Sequence, residues 1–522
     1  MLSRLTSCLL ACSFFAFSSC TVQADDVIYD VVINQGHVID PETQLDAVRN
    51  IGITGNRISV VSEAPLTGRK TINAAGLIVG PGFVDLHVHA INVPSFWMQA
   101  FDGVTTALEL EAGAFPIKKA YSHAASLRLP LNYGFAASWA SARVSVADNI
   151  GVDAFDGTFE TAAKFFGKPN WSQLLSPEKS ADVVRLVEQE LLDGGLGIGV
   201  VTGYAPATNR EEFVALGNLA AKYNVATFNH LRTKNTEEPD GAVEGFLEAI
   251  AVAAATGSHV HICHINSTAL RKIVDVIPMI EKAQGVKLKI TTEAYPWGAG
   301  STVIGTPFLK PEQLPRLNIT SSDIMYLKTG ERVSSNERLA EIQRTDPSGT
   351  AVIHYLDENV PEQMALIDDA MLFKDTVFAS DAMPFQIGGK IVSEEVWPIP
   401  EAAYSHPRSA ATFTLALARY VRDTGKISLN EMFRRASLLP ANIVAEASPA
   451  ARLKGRIQPG MDADIIMFDL DKIVPRATYL NPRLPSEGMV NVMVQGEMVI
   501  ENGQLNKDVR PGQPLMSDLT KK

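Results

Sequence analysis

His87-Val88-His89 follows the apolar run GLIVGPGFVDL. In an extended strand, residues two apart point the same way, so both imidazoles would face one site at the strand's end. Alone, such a pair reads equally well as two edge histidines. Other strand-like apolar runs, however, also end in ligand-type or acidic residues: Glu109 and Glu111 in ALELEAG, His230 in TFNHLR, His264 in HICHIN and Asp381 in FASDAMP. Imidazole nitrogen and carboxylate oxygen together suit zinc or a related divalent ion. An ion held by such a set can polarise a bound group or activate a bound water.

The elements that must position these residues are legible as texture. From about Phe83 to about Ala445, apolar strand-like runs alternate with helical patterns, the sign of repeated βα units around a parallel sheet. Glu111, His230, His264 and Asp381 fall in separate units, and a closed barrel gathers its strand ends around one pocket. SPEKSADVVRLVEQELLDGG, with Pro near its start and Gly at its end, reads as one of the helices. Short strands and turns mark both ends of the chain, in VIYDVVINQGHVID and NIGITGNRISVV and again in RIQPGMDADIIMFD and GMVNVMVQGEMVIENGQ. The expected organisation is a signal segment over 1–24, β-sandwich strands over 25–80, a distorted (β/α)8 barrel over 81–445 and the rest of the sandwich over 446–522. Residues 305–350, rich in Pro, Ser and charge, read as an irregular lid or loop.

Composition narrows the class. With 46% hydrophobic and 20% charged residues in 522, the chain is neither disordered nor fibrous. Its net charge of −12, with no basic block, argues against a nucleic-acid partner. MLSRLTSCLLACSFFAFSSCTVQADD carries Arg4, a short apolar run and small residues before an acidic pair, the pattern of an export signal cleaved after Ala24. Lipid attachment at Cys20 is the alternative, and the periplasm is the expected compartment. No segment of the mature chain reads as membrane-spanning. Cleavage leaves Cys263 alone, so no internal disulfide can form, and alternation turns this thiol away from His264 as an inert buried group.

With these motifs in view, the chain resembles the metal-dependent amidohydrolase superfamily, and within it the N-acyl-D-amino-acid deacylases of the D-aminoacylase and D-glutamate deacylase type. The resemblance spans nearly the whole mature chain, through GLIVGPGFVDLHVHA, GGLGIGVVTGYAPA, FNHLR, HICHIN, EAYPWGAGST, FASDAMP, HPRSAATF and RIQPGMDADIIMFD in order. It implies the barrel and two-ended sandwich already read from texture. By motif, His87 and His89 would hold one metal position, His230 and His264 a second, and Asp381 would be the general acid/base. Such a carboxylate takes a proton from the activated water and returns it to the departing amine. Where this family carries a cysteine ligand after the second strand, GVTTALELEAGA has none, and a glutamate bridge takes its place, with Glu111 favoured over Glu109. LGIGVVTGYAP offers no lysine, against the carbamylated-lysine bridge of dihydroorotase-like and hydantoinase-like relatives.

The resemblance further implies that Arg408 grips a substrate carboxylate, a role suited to its two-pronged donors, helped by Tyr204 and Ser301. Tyr295 would support the polarised carbonyl. Arg232 and Lys234 add positive charge beyond His230 and could receive an acidic side chain. Ile91 and Asn266 replace an Asp and a Lys of the family pattern, which leaves one or two ions per subunit open. The expected function is an exported zinc-dependent hydrolase of N-acyl-D-amino acids, with N-acyl-D-glutamate as a finer reading and a small N-acylated amino acid as its partner. Hydrolysis of a cyclic amide, imide or dipeptide is the enzymatic alternative. A non-catalytic periplasmic carboxylate-binding protein is the alternative from another class.

Overall fold

The computed structural model of the protein describes residues 28–165 and 167–520. The segment read as an export signal, with Cys20, lies outside the described residues. Eight parallel strands form one sheet in chain order: β1 (Phe83–Asp85), β2 (Val104–Ala114), β3 (Asn132–Ser138), β4 (Ile198–Val201), β5 (Ala226–His230), β6 (His259–Ile262), β7 (Ile290–Ala294) and β8 (Val377–Phe378). The two edges meet just beyond β1 and β8. There the His89 N–H donates to the Ala382 carbonyl over 2.9 Å, and the Ala382 N–H donates to the His87 carbonyl over 3.2 Å. The sheet is therefore a distorted (β/α)8 barrel, and the bonds that close it set the histidine pair beside Asp381.

Buried Asp85 fastens the same seam: its carboxylate accepts from the Ser380 N–H over 3.0 Å, from the His87 N–H over 3.2 Å and from the Ser380 hydroxyl. Burial outweighs these bonds and pushes the carboxyl up to about 7. Strands β4 to β7 are buried almost throughout, the reason they read as apolar runs rather than alternations. The helix Pro177–Leu192 starts where Ser176 accepts the Lys179 N–H and Pro177 opens the first turn. Val183, Val187 and Leu191, four apart, bury its inner face.

The chain ends meet in a small β domain built on a nine-stranded sheet, in which Ile28–Asp40 pairs with Ile78–Pro81 and the latter runs antiparallel to Ile465–Phe468. It has its own core around Ile33, Val38, Ile51, Ile465 and Met467. Asp464 ties it to the barrel, bonded to Lys454 Nζ at 2.6 Å and to Asn132 Nδ2 at 2.9 Å. Residues 305–350 are more regular than expected. Ile324–Tyr326 and Glu331–Arg332 join Ala299–Val303 and Thr350–His354 in a four-stranded antiparallel sheet, followed by the helix Asn336–Thr345. Strands this short show no alternation to read. Among the described residues no helix is long and apolar enough to cross a membrane.

Candidate metal centre

The barrel brings His87, His89, Glu111, His230, His264 and Asp381 to one buried spot at the C-terminal ends of its strands. His87 and His89 follow β1, with their Nε2 atoms 3.2 Å apart. Asp381, just past β8, places Oδ1 3.5 Å from each. Glu111 on β2 stands between two donor sets. Its Oε2 lies 3.3 Å from His87 Nε2 and 3.7 Å from His89 Nε2, while its Oε1 lies 3.0 Å from His230 Nδ1 and 2.7 Å from His264 Nε2.

These separations test the donors for a metal. A tetrahedral ion with nitrogen and oxygen ligands about 2.0–2.1 Å away spaces them roughly 3.3–3.4 Å apart. His87, His89 and Asp381, 3.2 to 3.5 Å from one another, fit as they stand, and Glu111 Oε2 lies 3.3 and 3.7 Å from the two histidines. Glu111 Oε1 stands at hydrogen-bond length from His230 and His264, closer than two ligands of one ion sit, so an ion there would spread these donors apart. One carboxylate serves both sets, as a bridging ligand must. The end of β4 contributes Val201 rather than a lysine.

Local structure aims each donor. His264 and Asp381 both have left-handed backbone, with φ of 33° and 53°, which breaks strand alternation and turns their side chains into the pocket. Gly203 clears space for His230, because a Cβ there would overlap the imidazole. In His87, His89 and His264 the outer ring nitrogen, Nδ1, is bonded, which fixes ring orientation and presents Nε2 to the centre, whereas His230 faces Glu111 through Nδ1. His87 Nδ1 meets Glu293 Oε1 at 2.5 Å, His89 Nδ1 meets Glu109 Oε2 at 2.7 Å, and His264 Nδ1 meets Thr268 Oγ1 at 3.0 Å. Glu109 therefore supports His89 from behind, while Glu111 faces both donor sets.

Glu293 was not among the residues read from sequence, nor was His261, which meets the second oxygen of Glu293 at 3.0 Å. An acid inside the apolar strand ITTEA was the available signal. Cys263 does not point away: its thiol groups with His87 and Glu293. β6 ends at Ile262, so alternation no longer governs the next residue. Burial and Glu293 hold this thiol well above its usual range, and it remains protonated.

The carboxylates set the charge of the centre. Burial disfavours imidazolium, yet Asp381, Glu111 and Glu293 together hold His87 well above its usual range, and Glu109 and Asp381 raise His89 to about 9. Burial likewise opposes ionisation of Glu111 and Asp381. The facing histidines outweigh it for Glu111, and Arg408 and His87 do so for Asp381, so both stay ionised. His230, where burial dominates, falls to about 4. The two Nε2 atoms face each other at 3.2 Å, so a proton lies between them, and a cation entering the His87–His89 set must displace it. Metal uptake at neutral pH should therefore release protons, and apparent affinity should rise with pH towards about 9. Calorimetry in buffers of different ionisation enthalpy measures this, and a buffer-independent heat would contradict it.

A pocket of about 610 Å³, the open solvent at its mouth included, leads to the donors. Arg408, Tyr204, Tyr295, Ser301 and Lys234 all line it. Arg408 reaches Asp381 Oδ1 at 2.7 Å through Nη2, which also donates to the Ser301 carbonyl, whereas its Nε and Nη1 are buried without a hydrogen bond. Its guanidinium lies 4.7 Å from the centre of the Tyr295 ring, whose hydroxyl is likewise without a bond of its own. Asp102 holds the following turn in place by accepting the N–H groups of Thr412, Phe413 and Thr414 at 2.7 to 2.9 Å. Tyr204 Oη bonds Thr302 Oγ1 at 2.8 Å, and Ser301 Oγ donates to the Ala351 carbonyl at 3.1 Å. Arg232 is engaged elsewhere, by Glu248 at 2.9 Å and the Pro206 carbonyl at 2.8 Å.

A family model described as the amidohydrolase family matches residues 78–499. The N-acyl-D-glutamate deacylase of Alcaligenes xylosoxydans xylosoxydans is 26% identical over 529 residues, covering 94% of this chain and 97% of the relative. A crystal structure of D-aminoacylase superposes with a TM-score of 0.73 at 20% identity, covering 93% of this chain and 99% of the other. The N-acyl-D-glutamate deacylase of Bordetella bronchiseptica, solved with zinc and a phosphonate inhibitor mimicking the tetrahedral intermediate, gives 0.72 at 21% identity, covering 94% and 100%. The solved structures establish likeness of fold.

Proposed function

The chain belongs to the amidohydrolase family and hydrolyses amide bonds, and from that premise we propose that it is an exported, zinc-dependent deacylase of N-acyl-D-amino acids, N-acyl-D-glutamate among them. The observation that carries the reading is the placement of Asp381, whose one oxygen faces both His87 and His89 and accepts from Arg408. Likeness to the deacylases supports the substrate class, and the leading residues support export.

The geometry and the family resemblance together support the following roles. His87, His89, Glu111, His230 and His264 would hold one or two ions, with Glu111 shared. An ion there supplies acidity to water and polarises a carbonyl. Asp381 takes the proton of the attacking water and delivers it to the leaving nitrogen, so one carboxylate serves both halves of the reaction. Arg408 offers Nε and Nη1 to the substrate's α-carboxylate while Nη2 holds Asp381, and thereby fixes the amide relative to its acid/base. Tyr295 donates its hydroxyl towards the developing negative oxygen, and Tyr204 and Ser301 shape the same wall.

Zinc-loaded protein assayed for amine release on paired D- and L-N-acetyl amino acids, with hydantoin and dihydroorotate alongside, tests the reading. D-selective release is expected. Turnover of the rings alone would replace the deacylase with a cyclic amidase, and turnover of the L series alone would reverse the stereochemical assignment.

A further inference from the structure

Lys234 leaves β5 four residues beyond His230 and lines the pocket with Glu111, Asp381 and Arg408. Only 7% of the residue is exposed. Its ammonium sits 4.2 Å from the Phe308 ring centre and 4.7 Å from that of Tyr355, and it makes one hydrogen bond, to Tyr355 Oη at 3.2 Å. Among the described residues, no carboxylate lies within 4.0 Å of it. An ammonium carries three donors, and burying one without an anion is costly. Burial accordingly pushes Lys234 down to about 7, although Glu111 and Asp381 pull the other way. Arg232, two residues earlier, has its anion in Glu248, so the missing partner is particular to the lysine.

The same pocket holds a second cation with free donors, Arg408, through Nε and Nη1. A substrate with one carboxylate satisfies one of the two. Two aromatic faces around Lys234 exclude water, which strengthens any anion contact made there.

We propose that Lys234 binds a second carboxylate of the substrate, so that the preferred substrates are N-acylated amino acids carrying two acidic groups. The proposal rests on the deacylase reading for its first carboxylate, at Arg408, and adds the residue that reads the second. That carboxylate belongs either to the amino-acid side chain, as in glutamate, or to the acyl group, as in a succinyl amide. Either would lie against Lys234 Nζ and Tyr355 Oη.

Two substrate pairs separate these sources: N-acetyl-D-glutamate against N-acetyl-D-glutamine, and N-succinyl-D-alanine against N-butyryl-D-alanine. The metal-loaded full chain should prefer the acidic member of one pair in kcat/KM, and that pair identifies the source. In Lys234→Met the ratio of acidic to neutral substrate should fall roughly 10- to 100-fold, the worth of a hydrogen bond to a charged group. Lys234→Arg should retain most of the preference. Lys234→Gln provides the same reading if the Met variant does not fold. Absence of preference in both wild-type pairs, or a preference that survives Lys234→Met, would overturn the proposal. If the protein hydrolyses none of the four compounds, the deacylase reading fails by itself. Calorimetric binding of the same pairs then decides Lys234: tighter binding of an acidic member that disappears in the variant supports it, and equal binding of both members overturns it.

Discussion

Asp381→Asn should lower kcat by about 10²- to 10⁴-fold, the usual contribution of a positioned acid/base, while metal remains bound. The substitution keeps the shape of the side chain, and its amide oxygen can still face His87 and His89 as Oδ1 does now at 3.5 Å. The barrel seam survives because it is closed by the backbone of Ala382 and His87. What disappears is the proton acceptor, together with the negative charge that engages Arg408 at 2.7 Å. Metal per chain and kcat measured on one preparation separate the two consequences. A kcat within a few-fold of wild type would remove Asp381 from the mechanism.

Glu111→Gln should cost the centre its metal. One carboxylate faces both donor sets, with Oε2 towards His87 and His89 and Oε1 towards His230 and His264, so neither set is left intact. Removing an outer partner of a metal-bound histidine lowers affinity about 10- to 100-fold. Loss of the shared ligand should exceed that range and take activity to background. Glu109→Gln, which removes only the 2.7 Å support behind His89, supplies the contrast and should stay within it. Equal metal retention in the two variants, measured by competition with a chelator, would contradict the bridging role of Glu111.

Much of the barrel and its donors was legible because the relevant physics is local. Apolar strand runs ending in His, Glu or Asp point to strand ends, and a closed sheet gathers strand ends. Glu111, His230, His264 and Asp381 could be gathered on that ground alone. Arg408 was different: nothing in HPRSAATF announces an anion site, and only resemblance to a family singled it out.

Other features depend on closure and packing. Glu293 reaches His87 only because closure of the barrel leaves a single strand, β8, between β7 and β1, and nothing local to ITTEA shows that proximity. Arg232 and Lys234 look alike in TFNHLRTK, yet the helix Ala242–Thr256 supplies Glu248 to the arginine and leaves the lysine in the pocket. Cys263 turned inward because β6 stops one residue before it. The strands within residues 305–350, two or three residues long, are defined by pairing, Ile324–Tyr326 with Thr350–His354 and Glu331–Arg332 with Ile324–Tyr326, rather than by any pattern of their own.

The most direct test of the central claim is to strip the protein of metal and add zinc back in measured equivalents while following amine release from N-acetyl-D-glutamate. The account predicts no release from the stripped protein and a rise in rate that tracks the zinc bound. Full release without metal, or none at any zinc occupancy, would contradict it.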